Sequence, residues 1–300
     1  MDKQKEAGEV DVAPPPYTAT DTSAQPPLNN SEAPSYTAAP EGGSSAIGAV
    51  AGVSNRFPLS FNAYFEKKIM SKLFYLGEHA ETPLYAVTMH SGWTTKPLLE
   101  MHSGPKDSDP IMATVGYESW FSTGKRTIIK IFPDIAGLST SADESSSGSS
   151  SSSDSGSGPA VAVKSFDMIQ RYKWTRSWHE LSIEVGIGKD VRRENFEWRR
   201  TQGEEVKELD SSGEGWKLVR LEGTATGKNS TSDGKEVVAV WSVNGGWSMT
   251  KFCKFQFLGS GATGVLGNTF AIVALISGLK IRYAEYLQNT ASNAAGVATA

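Results

Sequence analysis

Cysteine is nearly absent from the sequence, since Cys253 is the only one in 300 residues. A single cysteine excludes a disulfide framework within the chain and a zinc site built from cysteines. Histidine is also scarce, and His79, His90, His102 and His179 each stand alone, without the H-x-x-x-H or H-x-x-E spacing of a metal site. We therefore expect neither a metal ion nor any other cofactor.

Long runs of lysine and arginine are absent too, and the net charge is −4. Nothing in this charge pattern predicts a nucleic-acid partner. The N-terminal stretch MDKQKEAGEVDV has no apolar segment of the signal-peptide kind, which predicts a cytoplasmic protein, either free or peripheral to a membrane. No G-x-S-x-G nucleophile motif occurs, and the paired carboxylates of Glu204 and Glu205 belong to a polar loop. The sequence predicts a protein that is not an enzyme.

Apolar periodicity is missing from three parts of the chain. Residues 1–55 are rich in proline, alanine and serine, a composition that buries too little surface to offset the entropy of ordering. Residues 137–160 form a Ser/Gly-rich insert, and residues 289–300 form a short polar tail. All three are predicted to be disordered or flexible. The remainder, 56–288, has the length of one folded domain.

Period-two alternation dominates this remainder. In HELSIEVGI, for example, Leu181, Ile183 and Val185 share one face while glutamates and a serine occupy the other. We identify about eleven runs of this kind, among them DMIQRYKWTRSW as a single run, and we expect the tryptophans to pack in the core and at its rim. Alternation of this sort is typical of antiparallel sheets. Many short strands joined by turns predict a barrel or a sandwich.

The stretch LGNTFAIVALISGLKIRYAEYLQ, about 266–288, is the one strong helical signal. Its first half is apolar on every side, so it is buried in protein or in lipid. The uncharged run 255–279 contains 25 residues, but only about ten of them are both helical and strongly apolar, half of what a bilayer requires. A position inside a closed barrel is favoured, with insertion into a membrane as the alternative.

The glycines before this helix have the spacing of a dinucleotide-binding loop. Gly259, Gly261 and Gly264 have the G-x-G-x-x-G spacing. Such a loop requires a further parallel strand after its helix, and no strand pattern follows residue 288. We interpret the glycines as a flexible linker that connects the last strand to the helix.

The order of these elements resembles the tubby C-terminal-like superfamily, which includes tubby proteins, LURP-one-related proteins and phospholipid scramblases. The stretch TPLYAVTMHSGWTTKPLLEMHSGPKDSDPIMATV looks like the early hairpins of that superfamily. ENFEWRRTQGEEVKEL and WKLVRLEG resemble mid-barrel strands of fungal-type LURP-one-like members, and TFAIVALISGLKIRYAEY looks like the closing helix. The resemblance implies a mainly β fold: an antiparallel closed barrel of about 12 strands around one hydrophobic C-terminal helix.

The resemblance also implies three functions. Tubby proteins bind phosphoinositides, so the first is a non-enzymatic, peripheral reader of anionic lipid. The second is a scramblase-like protein that translocates lipid, with 266–288 in the bilayer, although the cysteine cluster and acidic calcium loop of scramblases are missing here. The third is an interaction scaffold with no role in lipid binding.

Basic residues occur in three groups that could contact anionic headgroups, each contact contributing about 1 kcal/mol. If some of them converge in space, they form a lipid site; if not, they are solvated positions on the barrel surface. The candidates are Lys125, Arg126 and Lys130; Arg171, Lys173 and Arg176; and Arg192 and Arg193, which bracket ENFEW together with Arg199 and Arg200.

The tail contains a peptide motif of a different kind. APPPYTATD includes Pro14, Pro15 and Tyr17 in the P-P-x-Y order that WW domains bind. The prolines favour a polyproline II helix in advance, which lowers the entropy lost on binding. The predicted partner is a WW-domain protein, such as a HECT-type ubiquitin ligase or its adaptor.

Overall fold

In the computed structural model, seven stretches of the chain are described. All of them belong to one unit of the chain, Ala49–Ala300. The described ranges are 56–67, 71–91, 95–118, 125–133, 162–210, 213–243 and 250–298. The predicted tail 1–55 and the whole of the predicted insert 137–160 lie outside these ranges.

Twelve antiparallel strands form a closed barrel in which neighbours along the chain are also neighbours in the sheet. The first strand pairs with the last, so the barrel has no free edge. The strands are β1 (Ser60–Phe65), β2 (Leu73–Gly77), β3 (Tyr85–Met89), β4 (Leu99–His102), β5 (Ile111–Tyr117), β6 (Arg126–Ile131), β7 (Lys164–Lys173), β8 (Arg176–Val185), β9 (Arg192–Thr201), β10 (Gly215–Thr224), β11 (Lys235–Val243) and β12 (Lys251–Phe257).

The described part of the chain also contains three α-helices. They are α1 (Glu204–Lys207), α2 (Gly259–Ala262) and α3 (Gly267–Ala298). The predicted fold class, a closed antiparallel barrel of about 12 strands around a C-terminal helix, is confirmed.

The two ends of the barrel are named here by what lies at them. At the hairpin end, β7 and β8 meet in a tight turn between Lys173 and Arg176. At the entry end, β8 leads into β9 and the chain enters α3, where the Gly186 amide donates a hydrogen bond to the carbonyl of Leu266 at 3.0 Å. Helix α3 therefore runs from the entry end towards the hairpin end, where the Tyr283 hydroxyl donates to the carbonyl of His90 at 3.4 Å.

The core lies between α3 and the inward faces of the strands. Residues of α3 from Phe270 to Leu279 are buried in one cluster with aromatic side chains of β9, β11 and β12. At Gly278 an added Cβ would lie only 3.1–3.3 Å from ring atoms of Trp198, Trp241 and Phe255. Glycine at this position lets the helix backbone approach the barrel wall closely.

Membrane insertion of α3 was the alternative to burial in protein. Within the described ranges, no helix is both long enough and apolar enough to cross a bilayer. The apolar half of α3 is enclosed by the strands, which accounts for its hydrophobicity on every side.

The run DMIQRYKWTRSW, which the alternation predicts to be one strand, is a hairpin. Strand β7 ends at Lys173, residues 174 and 175 form the turn, and β8 begins at Arg176. The expected packing role also fails for Trp174, which is 97% exposed. The turn lacks the glycine, asparagine or aspartate that marks most two-residue hairpins, so the sequence carries no visible break there.

The C-terminal prediction was wrong in extent. Helix α3 continues to Ala298, through most of the tail expected at 289–300. A helix already nucleated inside the barrel adds residues at little cost, and the alanines of this stretch have the highest helix propensity. The sequence has one strong helical signal, at about 266–288, but the chain also forms α1 and α2, each a single helical turn. Gly259 and Gly261 belong to α2, so the linker is a helical turn rather than an irregular segment.

Candidate functional site

The eight cationic candidates all have exposed side chains. They lie on, or next to, four neighbouring strands, β6 to β9. Three of them, Arg126, Arg171 and Arg192, form ion pairs with carboxylates. Arg126 contacts Glu118 at 3.1 Å and Asp167 at 2.9 Å, and Arg171 contacts Glu180 at 2.9 Å. Cations paired in this way present little free charge to a ligand.

The arginines of β9 lie at the other end of the barrel from the β7–β8 turn. Arg192 is the register partner of Val185, at the far end of β8 from Arg176. Nine residues of strand separate the two positions, roughly 30 Å at about 3.3 Å per residue. Arg192 contacts Glu194 at 2.6 Å, and Arg193 lies opposite Glu184. The three groups therefore do not converge into one site.

Lys173 and Arg176 form an unusual cross-strand pair. They are register partners that directly flank the turn, so two cations face each other where opposite charges would be favourable. Among the described residues, no carboxylate lies within salt-bridge distance of either one. The tip of the hairpin therefore carries two unneutralised positive charges side by side.

Trp174, between them, has the most exposed large apolar side chain described. It is 97% exposed, and Tyr172 before it is 61% exposed. The φ angle of Trp174 is +56°, in the left-handed region that costs an L-residue about 1–2 kcal/mol. The backbone of Trp174 is strained, and its exposed side chain makes no packing contact that would offset this strain. This points to a role in binding rather than in the stability of the fold.

The β7–β8 hairpin continues beyond its register with β6. That register ends where Arg126 pairs with Ile169, and it is followed by a hydrogen bond of 2.7 Å from the Gln170 amide to the carbonyl of Lys125. Among the described residues, 171–173 have no register partner in β6, over about 10 Å of strand.

A groove of about 960 Å³ lies between this hairpin and the end of β9. Four cations line it, and the one carboxylate is Glu197, which Arg199 binds at 2.8 Å. Arg200, from β9, has only a distant carboxylate, Glu214 at 3.7 Å. The lining residues are Lys173, Trp174, Thr175, Arg176, Ser177, Trp178, Glu197, Arg199, Arg200, Thr201 and Gln202. The groove is open, basic and of the size that holds a small anionic group.

Sequence reasoning identified Lys173 and Arg176, and it grouped Arg200 with Arg192 at the other end of β9, but it missed Trp174. The available signal was K-W-T-R itself: an aromatic residue flanked by cations in a stretch with no acidic residue from 168 to 179. Only the hairpin geometry separates Trp174 from the strand face to which its alternation assigned it.

Beneath the hairpin end, α3 buries a lysine. Lys280 is 3% exposed, and its ammonium lies 5.6 Å from the centre of the Tyr117 ring. Burial lowers the pKa of Lys280 to about 8. Burial, together with the nearby Lys280, lowers the pKa of His179 to about 3, and Nδ1 of His179 has no hydrogen-bond partner among the described residues. Among the residues that the structure describes, no carboxylate affects the pKa of either group.

At the entry end, by contrast, buried charges are paired. Arg220 donates from Nε to Glu194 at 2.6 Å and from Nη1 to Glu236 at 3.2 Å. Glu236 also accepts from the hydroxyl of Ser260 in α2 at 2.9 Å. These hydrogen bonds, from Arg220 above all, lower the pKa of Glu194 below its usual range. The network joins β9, β10, β11 and α2.

The described ranges contain no group of three or more histidine, cysteine, aspartate or glutamate side chains placed to ligate a metal ion. The WW-ligand residues Pro14, Pro15 and Tyr17 lie outside the described residues. Comparison with known proteins finds no family model, no curated protein and no solved structure that the chain matches.

Proposed function

We propose that the protein is a non-enzymatic binding module that recognises anionic lipid headgroups, phosphoinositides among them, at the hairpin end of its barrel. The observation that carries this proposal is the cross-strand pair of Lys173 and Arg176, two exposed cations without a carboxylate partner among the described residues. An anionic surface relieves their mutual repulsion, and each cation near such a surface contributes about 1 kcal/mol.

The groove beside the hairpin supports the same proposal. Arg199 and Arg200 add two guanidinium groups on the opposite wall, and guanidinium groups bind phosphate oxygens through two parallel hydrogen bonds. Since Arg199 is already held by Glu197 and Asp233, Arg200 is the group on that wall that is freer to rotate towards a ligand. The site therefore combines fixed and adjustable cations.

The barrel layout is also consistent with the superfamily resemblance. Twelve strands around a C-terminal helix form the architecture that resemblance to the tubby C-terminal-like superfamily implies, and phosphoinositide binding is known in that superfamily. We propose a location in the cytoplasm, peripheral to a membrane. Translocation of lipid and a scaffold role without lipid stay as the alternatives.

The test is co-sedimentation of the full chain with vesicles of neutral phosphatidylcholine, and of the same lipid with anionic phosphatidylserine or a phosphoinositide, at two salt concentrations. We expect binding that requires the anionic lipid and weakens with salt. The double substitution Lys173→Glu and Arg176→Glu should weaken it about 30-fold or more.

The matched control reverses two exposed charges at the entry end, Lys189→Glu and Arg193→Glu. These two variants carry the same net charge as the hairpin pair, so a difference between the pairs reports position rather than total charge. Equal losses for both pairs would contradict a site at the hairpin end. Absence of binding to every vesicle would leave the scaffold alternative.

A second binding function rests on the tail motif. Pro14, Pro15 and Tyr17 form a complete P-P-x-Y ligand, and we propose that a WW-domain protein, such as a HECT-type ubiquitin ligase or its adaptor, binds there. A pull-down with a WW domain should lose the protein when Tyr17→Ala removes the aromatic ring that its groove holds. Undiminished capture of the variant would exclude the motif.

A further inference from the structure

Trp174 is held in a conformation that its own residue type disfavours. Among the described residues it is the only one other than glycine with a positive φ, and glycine would adopt that angle without steric cost. The turn nonetheless places a tryptophan at the outermost position of the hairpin, with its ring in solvent. Local sequence and local structure therefore disagree at this residue, a sign of a functional constraint.

The surroundings of the ring indicate what it contacts. Lys173 and Arg176 flank it, Arg200 lines the same groove, and Tyr172 is exposed on the same strand. Tryptophan and tyrosine partition to the headgroup level of a bilayer, where the ring is buried and its polar atom stays hydrated. Cations beside such a ring match anionic headgroups at the same depth. One surface thus offers both kinds of contact that a membrane interface accepts.

A soluble anionic ligand fits this arrangement less well. Phosphate or a free inositol phosphate would use the cations and leave the indole ring in water. A bilayer uses both, since the exposed Trp174 ring can enter the headgroup layer while Lys173 and Arg176 contact the headgroups around it. The exposed ring therefore favours a lipid surface over a dissolved anion.

We propose that Trp174 is an interfacial anchor: the tip of the β7–β8 hairpin inserts into the headgroup region of an anionic membrane, with Lys173 and Arg176 bound to the surface around it. This inference rests on the proposed function and adds an apolar component to it. Binding should then have one part that salt screens and one part that salt leaves intact.

The first experiment replaces the anchor and keeps the charges. Trp174→Gly removes the ring and also relieves the positive φ, so the variant should unfold at the same or a higher urea concentration than the wild type. Its binding to anionic vesicles should nevertheless be roughly tenfold or more weaker, with the salt-resistant part lost. Ile187→Ala, which removes exposed apolar surface at the entry end, is the matched control and should bind as the wild type does.

The second experiment measures the depth of the tip directly. Cys253 is buried, and burial raises the pKa of its thiol to about 12, so a thiol-reactive dye attaches to the folded protein only at an introduced cysteine. A polarity-sensitive dye is attached to Trp174→Cys and, as the control, to Val191→Cys at the entry end. Addition of anionic vesicles should shift the emission to the blue only for the dye at position 174.

The outcomes separate the two claims. If the wild type binds anionic vesicles but Trp174→Gly binds equally well and neither dye shifts, the anchor is overturned while the proposed lipid binding stands. If the wild type binds free inositol phosphate and not vesicles, or binds neither, both claims are overturned. Loss of binding by Trp174→Gly together with a blue shift confined to position 174 supports both.

Discussion

At the entry end of the barrel Arg220 lies between the buried carboxylate of Glu194 and the half-buried carboxylate of Glu236, whereas at the hairpin end Lys280 is buried beside a tyrosine ring and a neutral histidine. Both ends remove charged groups from water, but only at the entry end do hydrogen bonds between the charged groups replace those lost to water. A buried charge costs free energy unless it is paired. The entry end is therefore built for stability, and the hairpin end gives up stability.

The same contrast continues outside the barrel. At the hairpin end, Lys173 and Arg176 repel each other and Trp174 holds a strained backbone. At the entry end Arg192 is bound to Glu194. Unfavourable local choices thus accumulate at the end where we place the binding site. Proteins give up stability in this way at sites that act on a partner.

The largest expected effect on stability comes from removing the arginine of the ion-pair network at the entry end. Arg220→Met removes the cation that Glu194 and Glu236 share, so Glu236 loses its ion pair and the buried Glu194 keeps only the half-exposed Arg192. The free energy of unfolding should fall by about 3 kcal/mol. Urea unfolding followed by tryptophan fluorescence measures it. Arg171→Met is the control, since its ion pair with Glu180 is half-exposed and should contribute less than about 1 kcal/mol. Equal losses for the two variants would remove the contrast between buried and exposed pairs.

The second effect has the opposite sign. Lys280→Met removes a buried ammonium group and should raise the free energy of unfolding at pH 7 by roughly 2–4 kcal/mol. The pKa of Lys280 is lowered to about 8 in the folded protein, below its unfolded value of 10.5. The unfolded chain therefore binds the proton more tightly, and wild-type stability should rise between pH 8 and pH 10.5.

Two observations would contradict that reading of Lys280. One is a stability of Lys280→Met that shows the same rise above pH 8 as the wild type. The other is a loss of stability in Lys280→Met comparable to that in Lys217→Met. Lys217→Met is the control, because its ammonium group contacts Glu205 at 2.9 Å and its removal should lower the free energy of unfolding.

The smallest effect concerns His179 and mild acid. Its pKa is lowered to about 3 in the folded state from 6.5 in the unfolded chain, so the unfolded chain binds more protons between these values. The stability that depends on neutral His179 is therefore fully present above pH 6.5 and is lost as the pH falls towards 3. At pH 5 the free energy of unfolding should be lower by about 2 kcal/mol. Urea midpoints at pH 7 and pH 5 measure the loss.

His179→Gln should remove most of that dependence, while His79→Gln, at an exposed position, should leave it unchanged. The carboxylate of Glu194 does not obscure this window. Its pKa is lowered below 4.5, so the stability it contributes is lost only below pH 4.5. An unchanged slope between pH 7 and pH 5 in His179→Gln would show that the histidine is not buried in the neutral form.

Much of the barrel follows from short-range pattern. Strand β8 was predicted with Leu181, Ile183 and Val185 on one face, and all three are buried. The glycines at 259–264 were predicted to connect the last strand to the long helix, and they lie between β12 and α3. These features depend on residues two to four apart, which a sequence displays directly.

Other features were missed for identifiable reasons. Strand β1 was not among the predicted runs, because SFNAYF is short and becomes a strand by pairing with both β2 and β12. The β7–β8 turn was missed because K-W-T-R contains no turn residue. Helix α3 was predicted too short because its last turns extend a helix already stabilised elsewhere.

The sequence by itself determined the period of the strands, the single long helix and the presence of basic residues near a tryptophan. Tertiary structure alone decided which charges meet. The register of β9 with β10 pairs Arg220 with Glu194, 26 residues away. The fold also buries Lys280 without a carboxylate partner among the described residues, and it separates Arg192 from Arg176 by the length of a strand. Alternation is a property of neighbours along the chain, whereas pairing depends on strand register, which the packing of the whole barrel sets.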